Sequence, residues 1–385
     1  MFAWSRVALA DGVDRLIIVT NAEGSTNFKV CAAPVATPGA EHWVTIIPHS
    51  QERMIENVSC FANFVAVVGR EGGFQNLWTA CGADVSTALT SAAHAHLPLY
   101  RVPARDSVYV MDLDHGNMEY EAHTLRITYE SPVTPKLTCE LAVPSTHALE
   151  CATWDALPLT VLKQQEVPNV NLSQYTTARI SVATGGSAPV PVSLVYRPDL
   201  VSPGTPAPLL LYGYGSYGVC IDMNFSASVL SLCDRGVVYA VAHIRGGAEL
   251  GRHWYEKEGK LLNKMNTFHD FIGVAEHLVA SGWTSSNMLG AMGASAGGLL
   301  MGAVVNARPD LFRAIVSQVG FVDVVTTMSD PSIPLTVTEW EEWGNPNEAA
   351  YFEVRKPAHL RVHPFLAGAL PRARAVVLGC PPCST

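Results

Sequence analysis

The spacing of apolar residues changes character near residue 166. Upstream, short runs rich in Val, Ile, Phe and Tyr at 15–20, 27–31, 43–47, 63–69, 107–112 and 125–129 are split by clusters of Asn, Gly, Asp and Pro. β-Branched and aromatic side chains suit a pleated, half-buried surface and the punctuating residues suit tight turns, so 1–165 is expected to be all-β. Such a run of strands fits a β-sandwich or propeller blades. No exact repeat decides between them, and a blade of about 40 to 45 residues fits about four times. Downstream, paired runs at 177–183 and 190–196 around a turn that begins Thr-Gly-Gly-Ser predict a hairpin. Buried-type strands follow at 209–212, 237–243, 288–292 and 314–319, with helices at 266–280 and 296–306. Alternating strand and helix implies a largely parallel sheet covered on both faces, an α/β domain over 166–353. The stretch 354–385 has no acidic residue, five basic ones and five prolines, and is expected to stand apart as a tail with one strand-like run, 373–378.

Between the run at 288–292 and the helix at 296–306 the chain reads Gly293-Ala-Ser-Ala-Gly297, which matches the G-x-S-x-G nucleophile elbow. A serine held in a strained turn to expose its hydroxyl brings the outgoing helix against the incoming strand, where only glycine fits. The strand before and helix after favour this reading over an ordinary small-residue turn of an α/β domain. An α/β-hydrolase domain follows, with Ser295 as nucleophile at the carboxyl end of a central strand. Ala296 offers its backbone N–H to a developing oxyanion at the positive end of the new helix.

Composition narrows the function. At 385 residues, 48% hydrophobic and 15% charged, the chain can bury the cores of two domains. A net charge of −9 argues against nucleic acid and suits solubility or a cationic ligand. The nine cysteines stand mostly alone, and the close pair Cys380 and Cys383 lacks the strand and helix of a redox motif, which points to a reducing compartment without a disulfide framework. The N-terminus does not read as a signal peptide, and no apolar run approaches the roughly 20 residues of a spanning helix. His42, His49, His94, His96, His115 and His123 lack metal-ligand spacing and are expected on the surface or in the core, with no metal bound. Glu339 and Glu341 are two apart, so on an extended or loosely turned segment both would face one side and could hold a guanidinium or ammonium. A solvated acidic helix start is the alternative.

Six blocks in order carry a resemblance. They are Leu-Tyr-Gly-Tyr-Gly-Ser-Tyr-Gly at 211–218, His-Ile-Arg-Gly-Gly-Ala-Glu-Leu-Gly at 243–251, Asn-Thr-Phe-His-Asp at 266–270, the elbow, Val-Asp-Val-Val-Thr-Thr at 322–327 and Glu-Trp-Glu-Glu-Trp-Gly-Asn-Pro at 339–346. Together they resemble the prolyl oligopeptidase family of serine peptidases, most closely its oligopeptidase B branch. The stretches 14–21 and 27–30 resemble later blades of the family's propeller. The resemblance implies a propeller domain and an α/β-hydrolase domain, and cytosolic cleavage of short peptides after Arg or Lys without metal or cofactor. It assigns Tyr214 as a phenolic oxyanion donor beside Ala296, and Glu339 and Glu341 as holders of the basic side chain. An acidic pair serves the next subsite in this branch; here Asp222 is kept and the second position is Asn224, which weakens a dibasic preference.

The pattern departs from the family at both ends. An α/β-hydrolase supplies its triad in the order Ser, Asp, His, on loops after later strands. His359 and His363 precede the last strand-like run and no acid follows it, so neither is assigned as base, and His243 and His269 belong to blocks without that role. The triad acid and histidine, and the early blades, are expected to be missing. Two functions therefore stand: a serine oligopeptidase, seen here as a fragment, or an incompetent remnant that binds basic peptides or self-associates. A carboxylesterase on the same fold is disfavoured by the tyrosine loop and the glutamate pair.

Overall fold

A computed structural model describes residues 4–8, 13–90, 96–202, 204–321, 323–355 and 374–378. The chain forms two compact units, one of Met1–Val170 with Asp222–Phe225 and Glu249–Arg252, the other of the remaining segments from Asn171 on.

Among the described residues the first unit contains three four-stranded antiparallel sheets, each with its strands in sequence order. They are built from Trp4–Ala8 to Val44–Ile47, from Arg53–Cys60 to Tyr100–Arg101, and from Val110–Leu113 to Leu159–Gln164. Thr124–Ser131 buries every second residue, the period of a strand with one face in a core. That face supplies Leu125, Ile127 and Tyr129 to a cluster with Leu137, Cys139 and Leu141 from the paired strand. Sheets of sequential antiparallel strands are the blade arrangement, which decides the sandwich-or-blade alternative. The helix Gly82–Thr90, unexpected in a strand-rich half, occupies part of the chain between two strands of the second sheet.

The second unit is organised on a seven-stranded sheet. Its spatial order begins with Thr176–Val182 and Val190–Tyr196 and continues Val238–Ala242, Leu209–Tyr212, Leu289–Ala294, Ala314–Gln318 and Arg374–Leu378. The first two strands pair antiparallel, as the predicted hairpin, and the last five run parallel. Arg374–Leu378, in the stretch set apart as a tail, extends the sheet beside Ala314–Gln318. The sheet thus reaches past the boundary expected at 353. Helix Ala296–Ala307 buries ten consecutive residues from Ala296 to Val305, so it is apolar on every side, as a central covering helix must be.

Two of the sequence blocks meet in this core. Asp270, fully buried on helix Met265–Ala280, accepts from the Arg245 backbone N–H at 3.1 Å and from its Nε and Nη2 at 2.8 and 2.7 Å, and from Thr184 Oγ1 at 2.6 Å. A buried carboxylate is tolerable only with such a full set of donors.

Candidate active site

Ser295 lies between strand Leu289–Ala294 and helix Ala296–Ala307, at φ 54° and ψ −118°. Positive φ is costly for a residue with a Cβ, of order 1–3 kcal/mol, and persists only where the surroundings over-determine it. Here they do. The Ser295 N–H donates to Gln318 O at 2.9 Å, while its carbonyl accepts from Gly298 and Phe321 N–H at 2.9 and 3.0 Å. A Cβ on Gly293 would stand 2.2 Å from the Gly297 carbonyl oxygen, and one on Gly297 would stand 2.8 Å from the Gly213 carbonyl oxygen. The glycines of the motif are therefore required by the closeness of strand, helix and tyrosine loop.

The Ser295 side chain is exposed and lies near the Tyr214 hydroxyl. Burial pushes the Tyr214 phenol above its ordinary pKa, opposed by the Ser295 contact. A raised phenol remains a proton donor at neutral and mildly alkaline pH, as an oxyanion donor must. Ala296 is buried at the first position of its helix, where an N–H has no partner within the helix. Ser295, Tyr214 and Ala296 thus stand together.

Beyond Tyr214 the contacts form a circuit. The Tyr214 and Tyr217 rings lie 6.5 Å apart, and Tyr217 meets Trp343 edge-on at 5.8 Å. Tyr217 Oη donates to Glu339 Oε2 at 2.7 Å, and Trp343 Nε1 lies 3.0 Å from both oxygens. Trp343 packs on Phe321 at 5.5 Å, and the Phe321 N–H returns to the Ser295 carbonyl. Burial, followed by the Glu339 hydrogen bond, drives the Tyr217 phenol far above its ordinary pKa, so it stays neutral and donates. A carboxylate bonded by Tyr217 and Trp343 at the edge of an aromatic cluster suits an organic cation, through charge-assisted hydrogen bonds and attraction to the ring faces.

Glu341 does not share this geometry. Thr336–Trp343 is a helix, not an extended segment, so residues two apart point about 200° away from each other. Glu339 is half-buried within the circuit, while Glu341 is exposed. The residue that shares the Glu339 side of the helix is Glu342, one further on and buried.

Asp222 falls in the first unit, where Arg70 Nη1 and Nη2 bind its two oxygens at 2.9 and 2.6 Å. Arg70 Nε holds Glu56 at 2.9 Å, and burial raises the Glu56 pKa against the pull of Arg70. Asn224 donates to Glu130 at 2.9 Å. The Asp222 carboxylate is therefore already neutralised by a cation of its own chain, and a second cation would have to displace Arg70.

The histidines contribute no base among the described residues. His243 is buried, its Nε2 2.8 Å from Ser193 Oγ, and His269 is exposed on its helix. No histidine among the described residues hydrogen-bonds Ser295. His359, His363 and His94 lie outside the described residues, as do Cys380 and Cys383. Among the described residues no three of His, Cys, Asp or Glu come together as a metal-binding group, and no helix is long and apolar enough to cross a membrane.

Tyr217, Phe321, Trp343 and Glu342 were not singled out by the sequence reading. All but Phe321 lie within blocks it quoted, and the signal available was the helical spacing of Glu339, Glu342 and Trp343.

Comparison with known proteins places this geometry. The family model described as "Prolyl oligopeptidase family" matches residues 223–367, and that described as "Prolyl oligopeptidase, N-terminal beta-propeller domain" matches 5–151. The first runs beyond the boundary expected at 353. Dipeptidyl aminopeptidase BI of Pseudoxanthomonas mexicana is 43% identical over 341 residues, 88% of this chain and 43% of that protein. Protease 2 of Moraxella lacunata is 37% identical over 87% of this chain and 44% of that protein. Among solved structures, oligopeptidase B from Leishmania major superposes with a TM-score of 0.78 at 39% identity, over 92% of this chain and 47% of that one. Oligopeptidase B from Trypanosoma brucei, with covalently bound antipain in a closed form, gives 0.78 at 37%, over 93% and 48%. The chain spans less than half the length of these relatives.

Proposed function

The chain belongs to the prolyl oligopeptidase family, and from that premise we propose that it carries the acyl-transfer site of a serine-type oligopeptidase that cleaves short peptides after Arg or Lys. In this reading Ser295 Oγ adds to the scissile carbonyl carbon and its proton passes to a base. The carbonyl oxygen becomes an oxyanion held by the Tyr214 hydroxyl and the Ala296 N–H. Collapse of that adduct expels the amine, which takes the proton, and leaves an acyl-enzyme for water to hydrolyse. The basic side chain before the scissile bond points to Glu339, with Tyr217, Trp343 and Phe321 as its walls. Glu341, on another side of the helix, interacts with it through solvent.

The observation that carries this reading is the closed circuit from Ser295 through Tyr214, Tyr217 and Glu339 back by Trp343 and Phe321. One observation favours a second reading for the chain as it stands: no histidine among the described residues touches Ser295, so the site binds basic peptides with little turnover. A serine without a base is a weak nucleophile, and in other serine proteases the remaining oxyanion hole and binding supply only about 10³ to 10⁴ over water. Hydrolysis of a fluorogenic arginine amide by the purified chain, with Ser295→Ala as control, separates the two. Serine-dependent turnover well above that residue supports the peptidase and makes His359 or His363 the first residues to test as base. Saturable binding without turnover supports the binder, and neither binding nor turnover refutes both.

A further inference from the structure

We infer that Lys264 is a positioning residue that holds the oxyanion tyrosine and the cation-binding helix in one frame; the inference rests on the site reading above. Lys264 is 1% exposed, which is rare for a lysine, and it stands at the N-terminus of helix Met265–Ala280 without capping it. Local helix physics disfavours a cation there, because that end of a helix is electropositive. What holds it is tertiary. Nζ donates to Gly215 O at 2.6 Å, to Ser216 Oγ at 2.7 Å and to Glu342 Oε1 at 3.0 Å, three acceptors for the three protons of an ammonium. It also sits 4.9 Å from the Trp343 ring centre.

The targets of these bonds give the lysine its role. Gly215 and Ser216 are the two residues between Tyr214, which meets Ser295, and Tyr217, which donates to Glu339. Glu342 and Trp343 lie on the helix that carries Glu339, and Trp343 is itself bonded to Glu339. One buried charge thus fixes the backbone between the two tyrosines on one side and the acidic helix on the other. A buried ion pair has few alternatives to its geometry, since moving either partner leaves a charge unpaired away from water.

The two arms of the lysine can be separated with three ligands: a short peptide amide ending in arginine, the same peptide ending in norleucine, and the arginine peptide as its boronic acid. The boronic acid takes the Ser295 oxygen onto boron, with the serine proton released to water, so its advantage over the amide reports the oxyanion side. The ratio of arginine to norleucine reports the Glu339 side. In Lys264→Met/Glu342→Gln both ratios should fall about tenfold or more. In Glu342→Gln alone, where Lys264 keeps Gly215 and Ser216, only the arginine-to-norleucine ratio should fall. A purely structural lysine would lower the melting temperature and weaken all three ligands by one common factor, leaving both ratios intact, and that result overturns the inference. If the double variant does not fold, an unchanged arginine-to-norleucine ratio in Glu342→Gln overturns it. A wild-type protein with neither advantage refutes the site reading, and the inference with it, by a different signature.

Discussion

At the scale of single residues, the site depends on backbone that would be unfavourable elsewhere. Ser295 is held at positive φ because strand, helix and the turn at 319–321 fix its N–H and its carbonyl at once. Gly293 makes that possible, as its missing Cβ leaves room for the Gly297 carbonyl. Gly293→Ala should therefore destabilise the chain by about 1–3 kcal/mol or more, the usual cost of forcing atoms into packed space, read as a lower urea midpoint. A change below about 0.5 kcal/mol would mean that the elbow relaxes freely. Ser295, Ala296 and the glycines were legible in the sequence because their constraint is local, within five residues of chain. Lys264 was not, because its carboxylate partner lies 78 residues further on and nothing in its neighbourhood announces a buried charge. Tyr214 was assigned by resemblance alone, and the fold sets its hydroxyl near Ser295.

At the scale of elements, legibility followed the strength of the pattern. Leu209–Tyr212 and Val190–Tyr196 were read residue for residue, and Met265–Ala280 and Ala296–Ala307 within one residue. These are long or strongly apolar, and their burial agrees with their propensity. Arg53–Cys60, Phe74–Cys81 and Thr134–Ala142 went unread, since the Glu, Asn, Gln and Lys within them dilute the apolar count. Their stability comes from pairing with neighbours that a linear pattern does not show. The element whose form matters most to the site is Thr336–Trp343. An extended or loosely turned segment would make Glu339 and Glu341 partners; the helix, the alternative weighed against it, separates them and brings Glu342 and Trp343 to the Glu339 side. A change of period from 2 to 3.6 altered which carboxylates could share a ligand.

At the scale of the whole molecule, both units hold tyrosines whose phenols are harder to ionise than in water, from the fully buried Tyr129 to Tyr217, whose residue is 37% exposed. Burial is the leading cause at Tyr129 in the first unit and at Tyr175, Tyr214, Tyr217 and Tyr239 in the second, with Tyr175 and Tyr239 each pushed up to about 12. A raised folded-state pKa means that the folded chain binds more protons than the unfolded one between about pH 10 and the folded value. The stabilisation is therefore complete below pH 10 and is lost as pH rises toward 12 and beyond. Urea midpoints should fall by pH 11, the buried thiols of Cys31, Cys139 and Cys233 adding to the loss above about pH 9, and Tyr129→Phe should lose less between pH 10 and 11 than wild type. A midpoint indifferent to pH across this range would contradict the buried phenols.

Selection of a basic side chain is proposed to rest on the Glu339 carboxylate, bonded to Tyr217 and Trp343. Calorimetric titration of one short peptide, with arginine or norleucine as its last residue, tests it without requiring turnover. Wild type and Glu341→Gln should both prefer arginine by about 10- to 100-fold, the worth of about 1.5–3 kcal/mol of charge-assisted hydrogen bonding, and Glu339→Gln should bring the two peptides nearly level. Equal affinity for both peptides in wild type, or a preference that survives Glu339→Gln unchanged, would rule out Glu339 as the selecting group.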